Sequence, residues 1–450
     1  MLNGGIMFIP NDVKMILDTL TSNGYEAYIV GGSIRDFING ILLPKDYDIA
    51  TNALPEDVIK LFDKTVPTGI KHGTVTVMIS REGFEVTTYR IDGEYLDNRR
   101  PEGVIFVSNL KQDLSRRDFT INAMAFNEQQ GVIDYFGGIE DLNNKTIRAV
   151  GEPNKRFQED ALRMLRAIRF AARLDFEIEE KTLKAISANS NLILNISSER
   201  IRDELCKMLV SNSSTKALML LEETRLLEFI LPELQKTVGF NQKNPHHDKD
   251  VFQHILAVVE NCPGSLNLRI AGLLHDIAKP VCFTMDEEGI GHFYGHDKKG
   301  AILSEQILRR LKFDNQSISK IRILVKEHMN VRAKPTDASV KRLINRVGVD
   351  LVGDLFALQR ADALGSYLPE VRLGEIHRME EKTLAILESK VPISIKDLAV
   401  KGEDLISEFS LKPGKEIGVM LKFLLDKVLE NPELNSKKEL LAMIYDEYME

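Results

Sequence analysis

The segment Val30-Gly-Gly-Ser-Ile-Arg-Asp36, followed by Asp46-Tyr-Asp-Ile-Ala50, predicts the fold of the N-terminal part of the chain. The apolar residues before Gly31-Gly32 predict a buried strand, and the two glycines predict a tight turn in which the backbone can approach a ligand closely. Ser33 is a suitable N-cap for the short helix that the next residues predict. The free amides at the start of that helix, together with Arg35, predict a site for an anion such as a phosphate.

Two aspartates, Asp46 and Asp48, lie on the second strand that this segment predicts. Because strand side chains alternate between faces, both carboxylates are expected on one face of the sheet. Paired oxygen ligands suit Mg²⁺, which proteins bind through one or two carboxylates together with substrate phosphates. A lone D-x-D motif or a lone pair of glycines is usually only a turn. Their order here, with strand, turn, helix and strand in succession, favours a site for magnesium and a triphosphate.

The overall composition limits the class of protein. At 450 residues the chain is too long for a single core, so about two to four domains are expected. The net charge of -8 weakly disfavours a nucleic-acid partner, although local basic patches can override it. No apolar run is long enough to cross a membrane, and the first residues do not resemble a signal peptide. The cysteines lie far apart without a C-x-x-C pair and favour a reducing cytoplasm: Cys206, Cys262 and Cys282.

Residues 1–145 alternate helix and strand signals and predict a mixed α/β domain with a small sheet. Residues 74–79 and 84–91 predict a hairpin that turns at Glu82-Gly83. Such a hairpin beside the D-x-D strand brings Glu85 close to the two aspartates as a third carboxylate. A solvated glutamate on an edge strand is an equally good interpretation.

From about residue 150 the pattern becomes helical. Residues 159–174 have helical periodicity with one apolar stripe. Asp160 and Arg163 are three residues apart and are expected to be neighbours off that stripe. An ion pair on a solvated face is the simpler interpretation. The alternative is that the carboxylate and the guanidinium supply the acceptor and the donors that recognise the Watson–Crick edge of a base.

Several motifs together resemble a known family. G-G-x-x-R-D followed by D-x-D resembles the signature of polymerase-β-type nucleotidyltransferases. R-R-D-x-x-x-N-A over residues 116–123, E-D-x-x-R over residues 159–163 and the segment 199–204 resemble, in order and spacing, the class II tRNA nucleotidyltransferases. These are the CCA-adding enzymes, which are relatives of bacterial poly(A) polymerases. The resemblance implies a head, neck, body and tail architecture, and the addition of CTP and ATP to the 3′ end of tRNA without a nucleic-acid template.

The resemblance also implies roles for individual residues. Asp46 and Asp48 would hold two Mg²⁺ ions, and Asp118 would hold the ribose 2′ hydroxyl. Asp160 and Arg163 would read the edges of cytosine and adenine. The nucleotide-binding set that the resemblance implies is Gly31, Gly32, Arg35, Arg117, Asp118, Asn122, Asp160, Arg163 and Arg200.

Two further segments favour the complete reaction. Residues 92–101 are polar and rich in turn residues, and they resemble the flexible loop of full CCA-adding enzymes. Gly69-Ile-Lys-His-Gly-Thr74 resembles the CCA-adding branch, where proteobacterial poly(A) polymerases tend to have an arginine-rich stretch. A partial CC-adding or A-adding enzyme, or a poly(A) polymerase, is the alternative within the same class.

A second group of candidate ligands lies in the middle of the chain. His275 and Asp276 are adjacent within a predicted apolar helix. With the histidines and the aspartate around them, they resemble the HD phosphohydrolase superfamily, whose minimum pattern is H…HD…D. Imidazole and carboxylate suit a transition metal, although such a group can also persist as a structural core. The candidate ligands are His254, His275, Asp276, His296, His328 and Asp362.

The sequence therefore predicts an α+β multidomain protein. A polymerase-β-like nucleotidyltransferase head with a small mixed sheet is followed by a mostly α-helical neck, an HD-containing body and a tail. The expected boundaries are 1–145, 146–235, 236–370 and 371–450. The expected partners are tRNA, CTP and ATP, with no membrane and no DNA, and the expected cofactors are Mg²⁺ and a transition metal in the HD site. An HD phosphohydrolase whose head only binds RNA is the alternative from another functional class.

Overall fold

The computed structural model describes residues 8–41, 44, 46–93, 103–244 and 248–448. The chain divides into two compact units, Met1–Gln235 and Lys236–Glu450. The first unit contains a mixed sheet and helices, and the second is almost entirely helical. The predicted α+β class is confirmed. The four predicted domain boundaries stay predictions, and most of the predicted loop at residues 92–101 lies outside the described residues.

The first unit begins with an α/β segment and continues as helices. Its strands are β1 (Ala27–Val30), β2 (Asp48–Thr51), β3 (Thr65–Gly69), β4 (Thr74–Ile79), β5 (Glu82–Thr88), β6 (Arg90–Asp92), β7 (Val104–Phe106), β8 (Met124–Asn127), β9 (Gly131–Asp134), β10 (Thr146–Ile147) and β11 (Glu177–Ile178). Its helices are α1 (Asn11–Ser22), α2 (Gly32–Ile38), α3 (Pro55–Leu61), α4 (Leu110–Ser115), α5 (Gly138–Asn143), α6 (Pro153–Glu159), α7 (Leu162–Leu174), α8 (Glu180–Asn189), α9 (Ser198–Leu209), α10 (Ser214–Glu223), α11 (Leu226–Ile230) and α12 (Pro232–Gln235).

The main sheet has seven strands in the order β3-β4-β5-β2-β1-β8-β9. The pair β2 and β5 is parallel and the other neighbours are antiparallel. Val30 and Ala50 share one face, and both belong to an apolar cluster that includes Leu110 and Leu114 of α4. Asp48 pairs with Val30 and therefore lies on that same face. The sheet therefore places the carboxylate of Asp48 at the edge of this apolar cluster.

The turn between β1 and α2 follows the glycine pattern closely. All four residues of β1 are buried, as the apolar run predicts. Gly31 has φ of 79°, which lies in the left-handed region that glycine adopts without strain. α2 then begins at Gly32, so the predicted cap at Ser33 is wrong. Ser33 lies inside the helix, where its hydroxyl donates to the carbonyl of Val30 at 3.4 Å.

Two predicted details of the sheet are also wrong. β2 begins at Asp48, so Asp46 precedes the strand instead of sharing it. The hairpin between β4 and β5 turns at Ser80 and Arg81, whose φ values are 49° and 74°. Two successive residues with positive φ give the turn geometry that matches the twist of the flanking strands. The glycine of the predicted Glu82-Gly83 turn is instead part of β5.

The predicted helix over residues 159–174 is interrupted. α6 ends at Glu159, Asp160 has an extended backbone with φ of -137° and ψ of 104°, and α7 begins at Leu162. The Asp160 carboxylate accepts a hydrogen bond from the Leu162 amide at 3.0 Å, so it satisfies one free donor at the start of α7. The predicted apolar stripe is nevertheless buried, and it comprises Ala161, Leu162, Leu165, Ile168 and Ala172.

The second unit consists of helices and one short hairpin. Its helices are α13 (Val251–Asn261), α14 (Leu266–Leu274), α15 (Lys279–Cys282), α16 (His296–Arg310), α17 (Asn315–Glu327), α18 (Asp337–Val347), α19 (Val349–Gly365), α20 (Glu370–Glu388), α21 (Gly402–Phe409), α22 (Lys415–Glu430) and α23 (Lys437–Tyr448). The hairpin strands are β12 (Thr284–Met285) and β13 (Gly291–His292). The last helices share an apolar cluster around Leu424 and Ile444. Among the described residues, the search for a helix long and apolar enough to cross a membrane finds none.

Candidate functional site

A cleft of about 440 Å³ opens in the first unit beside the turn between β1 and α2. Most of the predicted nucleotide site lines it, whereas Asp46 and Glu85 are not among its lining residues. The predicted residues in the lining are Gly31, Gly32, Arg35, Asp48, Arg117, Asp118, Asn122, Asp160, Arg163 and Arg200. Residues that are distant in sequence therefore converge on one cavity.

Gly31 is the point at which the backbone comes closest to the charged side chains. A Cβ atom at this position would lie 3.0 Å from Nη1 of Arg117 and 3.8 Å from Oδ2 of Asp48. The positive φ and this close approach both require glycine. A ligand that touches this turn would therefore meet the guanidinium and the carboxylate at once.

Opposing effects act on the pKa of the Asp48 carboxylate. Burial raises the pKa of Asp48, and the charge of Asp46 raises it further, while the charge of Arg117 opposes both effects. The side chain is nevertheless open to solvent, as is that of Asp46. A carboxylate whose charged form is destabilised by burial and by a second carboxylate is a donor that a hard cation stabilises. The chemistry of this pair fits Mg²⁺.

The strand register places Glu85 next to this pair. Ile49 is opposite Val86 in the parallel pair of β2 and β5. Glu85 is therefore opposite Asp48 on the neighbouring strand, and both lie on the same face of the sheet. Its side chain is exposed. Among the described residues, the groups of three metal-ligating side chains whose ligand atoms lie within 4.8 Å do not include it. The strand position agrees with the predicted third carboxylate, and its role stays a prediction.

A chain of hydrogen bonds links Arg35 to Asp118. Nη1 of Arg35 donates to Oδ1 of Asn122 at 2.7 Å, and Nδ2 of Asn122 donates to Oδ1 of Asp118 at 3.1 Å. The second oxygen of Asp118 accepts from Nε of Arg166 at 2.7 Å. Burial alone would raise the pKa of Asp118, but Arg166 and Asn122 outweigh burial and lower it to about 2. The carboxylate is therefore ionised and already oriented.

The ring of Phe170 holds three guanidinium groups in place. The Cζ atoms of Arg35, Arg166 and Arg169 lie 5.2, 5.5 and 4.1 Å from the ring centroid. Phe170 is buried, and its ring packs edge-to-face on Phe119 at 5.8 Å. Cations near an aromatic face are attracted by its quadrupole. One ring on α7 thereby gathers arginines from α2 and α7 at the cleft.

The arginines of α7 are functional candidates that the sequence analysis missed. Arg166, Arg169 and Arg173 line the cleft together with Arg163. Their spacing of three or four residues was visible in the sequence as a basic stripe beside the apolar one. Together they give the cleft a positive charge that suits a polyphosphate.

Asp160 and Arg163 do not pair with each other, so the ion-pair interpretation is wrong. Oδ2 of Asp160 accepts from Nη2 of Arg200 at 3.0 Å. The guanidinium of Arg163 donates to Oε2 of Glu159 at 2.8 Å and to the carbonyl of Arg116 at 3.0 Å. Each side chain is oriented by its own partners, and both side chains line the cleft.

The second unit contains a buried cluster of histidines and aspartates. Asp276 lies at its centre: Oδ2 is 3.2 Å from Nε2 of His275, and Oδ1 is 3.3 Å from Nε2 of His296. His254 and His275 form one group of three candidate ligands with Asp276, and His296 and His328 form a second group with the same aspartate. All six predicted ligands come together, with Oδ1 of Asp362 3.1 Å from Nε2 of His254.

The backbone orients the four histidines of this cluster. Each Nδ1 contacts a main-chain carbonyl oxygen: Gly365 for His254 at 3.3 Å, Gly272 for His275 at 2.8 Å, Phe293 for His296 at 2.7 Å and Val325 for His328 at 2.6 Å. A proton on each Nδ1 leaves the lone pair on Nε2, which is the atom through which a histidine oriented in this way binds a metal. Burial and His275 lower the pKa of His328 to about 4, which keeps its imidazole neutral.

The helical position predicted for His275 and Asp276 is wrong. α14 ends at Leu274, and His275 and Asp276 follow it directly. The helix end frees Asp276 to face both histidine pairs. Lys279 donates to Oδ2 of Asp276 at 2.7 Å and helps to lower the pKa of that carboxyl. The donor set of imidazole and carboxylate fits a transition metal.

Comparisons with known proteins identify the family. A CCA-adding enzyme from Lactobacillus helveticus is 37% identical over 424 residues, covering 94% of this chain and 93% of the relative. The chain belongs to the CCA-adding enzyme family. A CCA-adding enzyme from Pediococcus pentosaceus is 36% identical over 436 residues, covering 96% of each chain. The solved structure of the Bacillus stearothermophilus CCA-adding enzyme in complex with CTP has a TM-score of 0.71 at 30% identity, covering 96% of this chain and 95% of that one.

Family models match three parts of this member of the CCA-adding family. The "Poly A polymerase head domain" matches residues 27–148, and the "Probable RNA and SrmB-binding site of polymerase A" matches residues 175–237. The "tRNA nucleotidyltransferase domain 2" matches residues 301–444. The cleft residues Gly31, Gly32, Arg35 and Asp48 lie in the first match, and His328 and Asp362 lie in the third. The predicted family and nucleotidyltransferase class are confirmed.

The ion pair of Asp118 and Arg166 should make the stability of the chain sensitive to acid. Because the folded pKa lies at about 2 and the ordinary value is 3.8, the pair stabilises the fold above about pH 4 and is lost as the pH falls towards 2. We expect Asp118→Asn to lower the free energy of unfolding by about 2 kcal/mol at pH 7. Thermal melting of the wild type and of Asp118→Asn should be measured between pH 7 and pH 2.5. The difference between their melting temperatures should become smaller below pH 4. The control for the loss of one carboxylate is Asp203→Asn, whose side chain is 54% exposed.

Proposed function

We propose that the chain adds the CCA sequence to the 3′ end of tRNA from CTP and ATP, with the cleft of the first unit as the active site. The observation that carries the proposal is the convergence of Gly31, Asp48, Asp118, Asp160 and Arg163 on one cavity of a family member. Solved relatives bind CTP, ATP and tRNA. We place this reaction in the cytoplasm, and the three free cysteines are consistent with that setting.

In the proposed reaction the tRNA 3′ hydroxyl attacks the α-phosphate of the nucleotide and pyrophosphate leaves. Asp46 and Asp48 would hold Mg²⁺, which lowers the pKa of the attacking hydroxyl and neutralises charge on the leaving pyrophosphate. Arg35 and Arg117 bind the triphosphate beside the Gly31 turn. The guanidiniums are held before the ligand arrives, so little reorganisation is needed during reaction.

The nucleotide is selected by groups that are already oriented. Asp118 accepts from the ribose 2′ hydroxyl, which favours ribonucleotides over deoxyribonucleotides. Asp160 accepts from the exocyclic amino group of cytosine or adenine, and Arg163 donates to a ring nitrogen or carbonyl. Because Arg200 and Glu159 fix these two side chains, no nucleic-acid template is needed to present the base edge.

Incubation of the protein with tRNA that lacks its terminal CCA tests the complete reaction against the partial ones. CTP and ATP together should restore all three nucleotides, and CTP alone should stop after two. Addition of only CC would indicate a CC-adding enzyme, addition of A only to a tRNA that already ends in CC would indicate an A-adding enzyme, and a long A tail would indicate a poly(A) polymerase.

Removal of the carboxylates should abolish this activity. We expect Asp48→Ala to lower the rate of CTP incorporation about a thousandfold. The variant would lose a ligand of the metal, and with it several kcal/mol of the transition-state stabilisation that the metal supplies. Glu85→Ala should lower it about a hundredfold if Glu85 is the third ligand. The control is Glu82→Ala on the same strand. An unchanged rate in Glu85→Ala would make that residue a solvated glutamate.

Phe170 should act by positioning the arginines. We expect Phe170→Leu to raise KM for CTP and ATP about fivefold with a smaller change in kcat, because the guanidiniums lose their cation–π contacts of about 1 kcal/mol. Phe170→Tyr keeps the ring and should restore KM. A purely structural role would instead lower the melting temperature in proportion to activity in both variants.

We also propose a second function, a metal-dependent phosphohydrolase centred on Asp276. It is favoured by the two ligand groups that share Asp276 and by the four histidines whose Nε2 atoms face the cluster. A transition metal held there would polarise a phosphoester and supply a hydroxide nucleophile. Lys279 supplies a positive charge beside the same carboxylate.

Loss of one central ligand should separate the two activities. We expect the His275→Ala variant to contain no bound manganese, cobalt or nickel. Its rate of phosphoester hydrolysis should fall at least a hundredfold, while CCA addition continues. Metal content by mass spectrometry and hydrolysis of p-nitrophenyl phosphate measure these effects. The matched control is His377→Ala, whose side chain is 69% exposed. Equal metal content in wild type and His275→Ala would contradict the proposal.

A further inference from the structure

We propose that Arg173 binds the γ-phosphate of the incoming nucleotide and, after the transfer step, the pyrophosphate that leaves. This inference rests on the nucleotidyl transfer proposed for the cleft and adds a phosphate-binding residue to it. In that transfer a bond forms between the 3′ oxygen of the tRNA and the α-phosphorus, and the bond from the α-phosphorus to the oxygen that bridges to the β-phosphate breaks. Pyrophosphate leaves with the electron pair of that bond, and the hydroxyl proton passes to water.

Helix α7 follows the length of the proposed nucleotide site. Near its start, Arg163 lines the cleft at the end proposed for the base. About one turn later, Arg166 holds Asp118, the residue proposed for the ribose. One further turn along, the ring of Phe170 packs against Arg35, one of the residues proposed for the triphosphate. The groups proposed for the base, the sugar and the phosphates therefore follow one another along the helix in the order in which a nucleotide joins them.

Arg173 is the next cleft residue in this order. It follows Phe170 by three residues and therefore lies on the same side of α7, and it lines the cleft. Ten residues separate it from Arg163, which corresponds to about 15 Å along the axis of an α-helix. Arg173 is thus placed beyond the residues proposed for the base and the sugar, at the phosphate end of the cleft.

Arg173 differs from the other three arginines of α7 that line the cleft. Those three form ion pairs, in chain order, with Glu159, Asp118 and Glu204. The side chain of Arg173 is exposed and has no hydrogen bond or ion pair among the described residues. The acidic residues that follow it, Asp175 and Glu177, are instead bound by Nζ of Lys216 at 3.4 and 2.7 Å. The phosphate end of the cleft therefore carries a guanidinium whose charge no carboxylate compensates.

Such a guanidinium suits a group that must bind and then leave. Arginine is permanently charged and offers several donors in the geometry of phosphate oxygens. Because Arg173 has no partner of its own, binding of the γ-phosphate breaks no ion pair, and release of pyrophosphate returns the side chain to water. The simpler interpretation is a cation that stabilises the last turn of α7 through the helix dipole. That interpretation predicts an effect on stability and none on the affinity for nucleotides.

CTP and CDP differ only by the γ-phosphate, so their relative affinities test the proposal directly. Calorimetric titrations with Mg²⁺ and without tRNA measure both affinities in the absence of turnover. We expect Arg173→Gln to lower the ratio of CTP affinity to CDP affinity about tenfold, as for the loss of one charged hydrogen-bonded contact. The affinity for CDP should change little. Inhibition of CTP incorporation by pyrophosphate should weaken by about the same factor.

A matched variant controls for the loss of one positive charge. The side chain of Arg225 is in the same unit, is 66% exposed and is not among the residues that line the cleft, so Arg225→Gln should keep the ratio. An unchanged ratio in Arg173→Gln, an equal loss of affinity for CTP and CDP, unchanged inhibition by pyrophosphate, or the same fall in the control would overturn the proposal.

Two further outcomes separate this contact from other roles. A raised KM for tRNA with an unchanged ratio would assign Arg173 to the backbone of the tRNA, and a lowered melting temperature with an unchanged ratio would assign it to the helix end. Either result would overturn the proposal. A protein that loses its preference for CTP in Arg173→Gln, but whose wild type adds no nucleotide to tRNA, would contradict the proposed CCA addition and leave the phosphate contact intact. The two failures are therefore distinguishable.

Discussion

The ion pair between Asp118 and Arg166 is the interaction on which the cleft of the first unit depends. A buried carboxylate is costly unless charges and hydrogen bonds compensate it, and here Arg166 and Asn122 do so. Through Asn122 the same carboxylate orients Arg35, and through Arg166 it is linked to the ring of Phe170. Loss of this one charge would therefore disturb the phosphate-binding and the sugar-binding parts of the cleft together.

The cluster of the second unit uses a buried carboxylate differently. Asp276 is surrounded by imidazoles instead of guanidiniums, with Lys279 as its fixed cation. Guanidiniums are permanently charged and satisfy a carboxylate without a ligand. Neutral imidazoles leave lone pairs that a metal can bind. The same chain thus builds one site in which a guanidinium neutralises the buried carboxylate of Asp118 and another whose donors suit a bound cation.

The sequence predicts the parts of the structure that depend on local pattern. The buried strand before Gly31 follows from the apolar run and the glycine placement, and the grouping of the six candidate metal ligands follows from the resemblance to the HD superfamily. The break at Asp160 was not predictable from periodicity, because one side-chain hydrogen bond to the Leu162 amide decides it. The partners of Arg163 were hidden for a similar reason, since the Arg116 carbonyl comes from a segment distant in sequence. The sequence pattern predicts which face of a helix or strand is buried, whereas tertiary contacts determine which residues its side chains bind.

The main-chain carbonyls that hold the four histidines have a consequence for metal loading. Because Gly272, Phe293 and Val325 already fix the rings, an arriving ion meets donors that need no folding step and little rotamer entropy. Affinities of such nitrogen and oxygen sites follow the general order of the divalent metals, which a rigid cage of this composition does little to invert. The ion held by a site of this kind would then be set by which metal the cell supplies in excess.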